Sequence, residues 1–305
     1  MLYLNLINPD KTDIPFQHFT FPDGQPHLKL DVSKMPKNDE NTVEERNPDN
    51  IGKGVTILSR IANPSDLFTV LIAKEALEAS GFESISLTIS YLMAARMDRQ
   101  MTEGEPFSLR VLATMLNQAG FKSIRIFDPH SDVTTALLLR SKAIGNEAFV
   151  KDCIADFNKN DENTDGTSRN SRERGNDYYL ISPDAGALKK IHKVAQYVQA
   201  PRVAECMKMR DVKTGNLSGF KTMESDFEGK TCFIVDDICD GGGTFIGLAA
   251  LLKSHNAGKI VLIVSHGIFS KGFDLAHIDA IYTTNSFKDI NTNALIIKDI
   301  ENYLT

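Results

Sequence analysis

The sequence contains few cysteines, and their spacing excludes the common kinds of cysteine-stabilised domain. Four are present among 305 residues, and no two form a Cys-x-x-Cys pair: Cys153, Cys206, Cys232 and Cys239. A structural zinc site normally uses such closely spaced pairs. Because no basic and apolar signal segment precedes them, we expect four reduced thiols in a cytoplasmic protein.

Long apolar runs and an excess of basic residues are also missing. No segment reaches the roughly 18–20 apolar residues that a membrane-spanning helix needs. The formal net charge is −6 at pH 7, whereas broad nucleic-acid binding requires clustered Lys and Arg. We therefore expect no membrane and no nucleic-acid partner. The net charge does not exclude a pocket for a single nucleotide, because such a pocket needs only a few local cations.

What the sequence does have is enough apolar material for two cores. Hydrophobic residues make up 42% and charged residues 24% of the chain, which is typical of a globular protein. Strand-like and helix-like segments alternate along most of its length, and this alternation predicts βαβ units with a parallel sheet. The pattern predicts an α/β protein with two domains, residues 1–150 and 151–305.

Two polar segments interrupt this alternation. Residues 31–50 are rich in Pro and Asn, and we interpret them as a surface excursion between two strands. Residues 157–177 are almost free of apolar side chains, so burial cannot offset the entropy of ordering them. We interpret this second segment as a mobile loop or a domain linker.

The most informative segment reads CFIVDDICDGGGTF, from Cys232 to Phe245. An apolar strand runs into paired acids, and a further acid precedes a glycine-rich turn at a predicted helix start: Asp236, Asp237, Asp240, Gly241, Gly242, Gly243 and Thr244. Such a turn exposes backbone N–H groups to a phosphate, and the helix dipole favours the anion. The paired carboxylates can accept hydrogen bonds from sugar hydroxyls. The alternative is a capped turn of acids and glycines without a ligand.

The run IVDDICDGGGT resembles the phosphoribosyl-diphosphate signature that phosphoribosyltransferases share with ribose-phosphate pyrophosphokinases (PRPP synthetases). The resemblance implies two phosphoribosyltransferase-like domains. It also implies that Asp236 and Asp237 hold the ribose 2- and 3-hydroxyls, and that residues 240–244 hold a 5-phosphate. This motif alone does not separate the transferases from the pyrophosphokinases.

A second segment, YLMAARMDRQMTEGEP at residues 91–106, resembles a pyrophosphokinase segment. The resemblance implies that Arg96 contacts the phosphates of ATP, with Asp98 and Arg99 nearby. The planar guanidinium of arginine suits this role because it offers several donors to phosphate oxygens.

The run DPHSD at residues 128–132 resembles the pyrophosphokinase Asp-Leu-His segment at a strand end. His130 would there bind the Mg²⁺ of the ATP complex, with Asp128 beside it. A lone histidine is usually structural or superficial, but this one is flanked by acids at a predicted strand terminus.

Two further matches lie in the second half of the chain. The run SPDAG resembles a loop whose acid, here Asp184, lies at the ribose and a second metal ion. The run CMKMR resembles the catalytic flexible loop that follows a strand, in which Lys208 and Arg210 would close over the transferring diphosphate. Taken alone, these two cations would be interpreted as a solvated strand end.

The run FPDGQ resembles the segment that reaches the adenine of a neighbouring subunit's ATP. It contains Phe21, Asp23 and Gln25, and the family usually has Glu at the last position. Gln can still pair with an adenine edge, because its amide both donates and accepts. The resemblance therefore implies a homo-oligomer.

Together these segments favour a divergent ribose-phosphate pyrophosphokinase, which would use Mg²⁺ to move the β,γ-diphosphate of ATP onto the 1-hydroxyl of ribose 5-phosphate. Gly241 replaces a family threonine, which predicts one donor fewer and more volume beside the phosphate. A larger acceptor such as ADP-ribose, in NAD metabolism, is therefore an alternative. A phosphoribosyltransferase and an inactive regulatory subunit are further alternatives. The former would not need the Arg96 and His130 segments, and the latter should have lost Lys208, Arg210 or His130, all of which are present.

Overall fold

The structure, a computed structural model, describes residues 2–34, 54–164, 177–210 and 217–304. The chain divides into two compact units, Met1–Ile144 with Leu304, and Gly145–Tyr303 with Thr305. This division precedes the expected boundary at 150/151, which falls inside a helix. Each unit is built on a mostly parallel sheet with helices, which confirms the α/β prediction.

The N-terminal unit contains a five-stranded sheet in the order β1-β4-β5-β6-β7, in which every neighbouring pair is parallel. A separate antiparallel hairpin, β2–β3, completes its strands. Its strands are β1 (Leu2–Asn5), β2 (Phe16–Thr20), β3 (Pro26–Leu30), β4 (Val55–Ile61), β5 (Ile85–Leu92), β6 (Ile124–Phe127) and β7 (Ser141–Ile144). Its helices are α1 (Pro64–Ala79), α2 (Ser108–Gln118) and α3 (Asp132–Leu137), and short 3₁₀ turns lie at Pro9–Lys11 and Val32–Lys34.

Helix α1 shows how local sequence signals set the bounds of an element. Asn63 accepts a hydrogen bond from the backbone of Asp66 while the Asp66 carboxylate accepts one from the backbone of Asn63. This capping box fixes the start, and Pro64 occupies the first helical position, where no N–H is needed. Gly81, at φ +88°, follows the helix end. The prediction of a helix between Pro64 and Gly81 is confirmed.

The C-terminal unit contains a seven-stranded sheet in the order β10-β9-β8-β11-β12-β13-β14, parallel except for the β9–β10 pair. All eight residues of β12 are buried, as expected of a central parallel strand. Its strands are β8 (Tyr178–Ser182), β9 (Arg202–Arg210), β10 (Leu217–Thr222), β11 (Thr231–Cys239), β12 (Ile260–Gly267), β13 (Ala280–Thr284) and β14 (Ile296–Lys298). Its helices are α4 (Glu147–Thr164), α5 (Leu188–Val198) and α6 (Gly243–Ser254), and a 3₁₀ turn spans Ile300–Tyr303.

The interpretation of residues 157–177 as loop or linker is wrong for its first part. Residues 157–164 form the last two turns of α4. Phe157 is buried, and its ring packs edge-on against Phe233 at 5.5 Å between centroids. The packing of this one aromatic ring thus stabilises a helical end whose sequence is otherwise polar. Residues 165–176 lie outside the described residues, as do residues 35–50 of the other polar segment.

Two strands also extend beyond their expected ends. β11 continues through Asp236 and Asp237 to Cys239, because it pairs with β12 along that whole length. The two acids are therefore inside the strand rather than after it. β9 likewise continues to Arg210, because the unpredicted strand β10 pairs with it.

The four cysteines are free and buried, as the sequence predicts. Within the described ranges, no helix combines the length and the apolar character that crossing a membrane requires.

Candidate active site

The paired acids of β11 differ in exposure. Asp237 is buried, while Asp236 is partly buried and accepts a hydrogen bond from the Asp237 backbone N–H at 2.9 Å. Burial and the negative charge of Asp237 raise the pKa of Asp236 well above its ordinary value, and Asp184 adds to the effect. Two adjacent carboxyl groups with little solvent favour a ligand that brings hydroxyl donors or positive charge.

The glycine loop connects the end of β11 to the start of α6. Gly242 is the residue before the helix and adopts φ +74°, and an added Cβ would lie 2.3 Å from Leu275 Cδ2. Only glycine fits this position without movement of its neighbours. Among the described residues, no acceptor is found for the backbone N–H groups of Gly241, Gly243 and Thr244. The helix start therefore offers several donors to an anion.

The third acid and the first glycine of this loop contact the segment that follows β12. Ser270 Oγ donates to Asp240 Oδ1 at 2.6 Å. A Cβ on Gly241 would lie 3.3 Å from Lys271 Cδ and 3.4 Å from Cε. The expectation of open volume beside Gly241 is therefore wrong, because the methylene stem of Lys271 occupies that space.

A close ion pair joins the β8–α5 loop to strand β9. Lys208 Nζ lies 2.7 Å from Asp184 Oδ2, and Asp184 Oδ1 accepts the backbone N–H of Ala187 at 3.0 Å. Burial by itself raises the pKa of Asp184, but Lys208 and the backbone donors outweigh it and hold that pKa below its ordinary value. Two residues from separate motifs thus meet within one unit.

The strand pairing explains how Lys208 is held there. Lys208 lies opposite Phe220 of β10, so their side chains share one face of the hairpin. The Phe220 ring lies against Gly247 of α6, where an added Cβ would be 2.6 Å from Cε2. The hairpin therefore packs on the helix that follows the glycine loop. The side chain of Arg210 lies outside the described residues.

Three residues of the N-terminal unit that the sequence singles out come together after β5 and β6. Arg99 Nε donates to Asp98 Oδ1 at 3.0 Å. Burial by itself raises the pKa of Asp98, but the Ser131 hydroxyl and the charges of Arg99 and His130 outweigh it and lower that pKa. Arg96 is exposed on the same segment. The hydrogen bond from Arg99 and the neighbouring Ser131 and His130 thus favour the ionised form of the Asp98 carboxyl group.

Two buried carboxylates near this point, those of Asp98 and Asp128, are oxygen ligands of the kind that Mg²⁺ takes. Asp98 Oδ2 is buried and makes no hydrogen bond of good geometry among the described residues. Asp128 is also buried, and its φ of +38° is a strained backbone conformation for a residue other than glycine. The described residues contain no cluster of three or more His, Cys, Asp or Glu side chains that could hold a metal. Mg²⁺ commonly binds with one or two carboxylates plus phosphate oxygens.

The segment Phe21–Gln25 is the exposed turn of the β2–β3 hairpin. Gly24, at φ +90°, donates to Phe21 O at 2.8 Å, and Asp23 Oδ1 accepts the backbone N–H of Gln25 at 3.1 Å. The rings of Phe19, Phe21 and His27 pack together with centroids 5.2–5.6 Å apart. This exposed aromatic cluster can stack against a planar ring such as a nucleobase.

Paired acids that lead into a glycine loop at the carboxyl edge of a parallel sheet define the phosphoribosyltransferase-like class of α/β protein. Residues 157–299 match the model of the phosphoribosyl transferase domain, and residues 25–120 match the N-terminal domain of ribose phosphate pyrophosphokinase. The chain belongs to the ribose-phosphate pyrophosphokinase family, whose members are diphosphotransferases.

Individual relatives agree with the family models. The ribose-phosphate pyrophosphokinase of Pyrococcus abyssi is 29% identical over 248 residues, covering 80% of this chain and 78% of the relative. That of Mycoplasma pneumoniae is 27% identical over 285 residues, covering 88% and 75%. The crystal structure of phosphoribosylpyrophosphate synthetase from Mycobacterium smegmatis has a similar fold, with a TM-score of 0.71 at 20% identity, covering 94% of this chain and 86% of that one.

Sequence reasoning missed three residues that contact the site residues. Ser131 follows His130 directly and could have been found as a hydroxyl in the same motif. Ser270 and Lys271 follow β12, which pairs with β11, so the rule that parallel strands end at one sheet edge points to them. A serine and a lysine after a strand do not by themselves indicate a functional site.

Proposed function

We propose that this protein transfers the β,γ-diphosphate of ATP to the 1-hydroxyl of ribose 5-phosphate, giving PRPP and AMP, with Mg²⁺ as cofactor. The observation that carries the proposal is the Lys208–Asp184 ion pair, which brings together two segments that resemble pyrophosphokinase loops. The same unit contains the acid pair Asp236–Asp237 and the glycine loop at the start of α6. The names of the relatives support the same reaction. We further propose a cytoplasmic homo-oligomer with residues 1–150 on the ATP side and 151–305 on the ribose-phosphate side.

The residues of the C-terminal unit would bind the acceptor and stabilise the transition state. Asp236 and Asp237 accept hydrogen bonds from the ribose 2- and 3-hydroxyls, while the backbone N–H groups of Gly241, Gly243 and Thr244 hold the 5-phosphate. The 1-hydroxyl oxygen forms a bond to the β-phosphorus and its proton is released. The bond between the β-phosphorus and the oxygen that bridges to the α-phosphorus breaks on the opposite side, and AMP leaves with that oxygen. Lys208 and Arg210 neutralise the charge of the transferring group, so positioning and electrostatics supply most of the catalysis.

The residues of the N-terminal unit would bind ATP. Arg96 contacts its phosphates, and Arg99 orients Asp98 through their hydrogen bond. Asp128 and His130 are the residues that would hold Mg²⁺ together with phosphate oxygens of the substrate, with Asp98 nearby and Asp184 as a candidate at a second ion. When bound, Mg²⁺ would reduce the repulsion between the phosphates and the attacking hydroxyl. Phe21, Asp23 and Gln25 would contact the adenine of a neighbouring subunit's ATP.

A product assay tests the reaction. Purified protein is mixed with ATP, MgCl₂ and ribose 5-phosphate, and the nucleotide product is identified by mass spectrometry. We expect AMP together with PRPP, and neither when EDTA or no acceptor is used. ADP as the nucleotide product would refute diphosphoryl transfer.

The same assay with ADP-ribose tests the alternative acceptor. The absence of a side chain at Gly241 leaves little extra room for a larger acceptor, because the stem of Lys271 occupies the volume beside it. We expect a higher kcat/KM for ribose 5-phosphate than for ADP-ribose. The opposite order would assign the chain to transfer onto a 5-substituted ribose, as in reconstitution of NAD.

A further inference from the structure

The chain makes a tight turn from Phe269 to Gly272 directly after β12. Gly272 donates its backbone N–H to Phe269 O at 3.2 Å, and Gly272 adopts φ +91°. Phe269 itself adopts φ +49°, which is strained for an aromatic residue, and its ring is buried. The packing of this ring holds the turn in one conformation and sets the direction of Lys271, its third residue.

This turn is fastened to the phosphate loop by hydrogen bonds. The backbone N–H groups of Ile268 and Phe269 both donate to Cys239 O, at 2.9 and 3.1 Å. Ser270 donates twice to Asp240, from its N–H to the backbone oxygen at 3.1 Å and from Oγ to Oδ1 at 2.6 Å. The turn and the glycine loop therefore form one connected structure.

Lys271 extends from this turn across Gly241. Three carbons of its stem, Cγ, Cδ and Cε, lie 3.6, 3.3 and 3.4 Å from the point that a Gly241 Cβ would occupy. One C–N bond of about 1.5 Å separates Nζ from Cε, which places the ammonium within about 5 Å of that point. The missing side chain of Gly241 is thus replaced by the stem of a lysine.

The ammonium of Lys271 is available to a ligand. The side chain is exposed, and none of the ion pairs found in the described ranges includes it. The nearby Asp240 carboxylate already accepts the Ser270 hydroxyl. A cation at the edge of a loop that presents free N–H groups matches a phosphoryl group in charge and position.

We propose that Lys271 is a specificity-determining residue that contacts the phosphoryl group on the 5-oxygen of the ribose acceptor. It supplies, from the β12 turn, the donor that the loop lacks at Gly241. This inference rests on the proposed function. It extends that function by naming Lys271 as the cation that binds the phosphoryl group of the acceptor. An ammonium offers three donors and a full charge, so acceptor binding should weaken with salt.

The test compares Lys271→Met, which keeps an apolar stem and removes the charge, with Lys271→Arg. We expect Lys271→Met to raise the KM for ribose 5-phosphate about 10-fold or more, as for a lost hydrogen bond to a charged group. The KM for ATP and kcat should stay near wild type, and Lys271→Arg should keep most of the acceptor affinity. Lys221→Met, a change at another exposed lysine of this unit, is the matched control.

A rescue experiment separates this role from simple packing. Gly241→Thr in a Lys271→Ala background, where the stem no longer occupies the space, adds a hydroxyl at the loop and should recover part of the acceptor affinity. An unchanged acceptor KM in Lys271→Met, or a fall in kcat without a change in KM, would overturn the proposal. With ADP-ribose as acceptor, an equal rise in KM supports contact with a phosphoryl group that both acceptors share.

The failure of this inference is distinguishable from failure of the proposed reaction. If no acceptor yields AMP, the reaction is refuted, and the binding of ribose 5-phosphate is then measured by calorimetry. Tighter binding to wild type than to Lys271→Met would still support the contact. Equal binding to both, or no binding to wild type, would overturn it.

Discussion

Lys208 and Asp184 form a 2.7 Å ion pair that links the β9–β10 hairpin to the loop after β8. Both side chains retain less than a third of their exposure, so the pair is screened less than a surface one. The pair holds the proposed catalytic ammonium beside a carboxylate until substrate arrives. We expect an incoming diphosphate to compete with Asp184 for this cation.

Replacing Lys208 with alanine should reduce kcat by about 100-fold or more, because the contact stabilises charge in the transition state. KM values for both substrates should change far less. Arg210→Ala should behave in the same way. Steady-state kinetics checks this, with Lys221→Ala as the matched control, because Lys221 is next to Phe220 and its side chain lies on the opposite face of β10. Near-normal kcat in both site variants would show that these cations are not catalytic.

The two adjacent glycines of the phosphate loop should respond differently to alanine. Gly242→Ala places a Cβ 2.3 Å from Leu275 Cδ2 and forces alanine to adopt φ +74°, which together should cost about 1–3 kcal/mol of unfolding free energy. Gly243→Ala meets nothing within 4 Å and should change stability by less than about 0.5 kcal/mol. Urea unfolding followed by circular dichroism compares the two. Similar midpoints would contradict the assigned loop conformation.

The sequence predicts the parallel core well because its signals are local. The capping box at Asn63, and the apolar runs that form β11 and β12, are visible in short windows. The hairpin β2–β3 is not predicted although Pro22-Asp23-Gly24 is a turn signal, because β2 is short and mostly exposed and so lacks an alternating apolar pattern. The end of α4 was missed because the Phe157–Phe233 contact that stabilises it is distant in sequence.

The candidate site also combines features that local sequence predicts with features that depend on contacts distant in sequence. The acids and glycines of residues 236–243 are predictable from one motif, because strand, turn and helix follow one another directly. The Lys208–Asp184 pair and the position of Lys271 over Gly241 depend on which strands are neighbours. No pattern within a single segment contains that information.

The proposed oligomer can be tested by combining two defective variants. One carries Phe21→Ala and Gln25→Ala at the hairpin turn, and the other carries Lys208→Ala. If the turn contacts a neighbour's ATP, mixed oligomers contain sites with both intact parts, and activity should rise well above either parent. Mixing Lys208→Ala with Arg210→Ala is the control and should restore nothing, because both changes affect the same half of the site. No recovery in oligomers shown to be mixed would mean that one chain builds each site.

The raised pKa of Asp236 leads to a prediction about stability against pH. A carboxyl group whose pKa is higher in the folded than in the unfolded protein destabilises the fold as pH rises above its ordinary value of 3.8, since the folded protein then resists ionisation. Burial and the charge of Asp237 are the causes. Asp236→Asn removes this ionisation, so the variant should be more stable than wild type at pH 7.

Ionising a carboxyl group whose pKa is raised by folding lowers the stability of the fold. We therefore expect a higher Tm for Asp236→Asn than for wild type at pH 7, and this difference should shrink as the pH is lowered towards 4. Acceptor affinity should fall, because an amide accepts fewer hydrogen bonds from the ribose hydroxyls than a carboxylate. Scanning calorimetry across this pH range, with Asp226→Asn as an exposed control, measures the effect. A variant less stable than wild type at pH 7 would show that the carboxylate is stabilised in the free protein, and that the acid pair does not depend on a ligand to offset its repulsion.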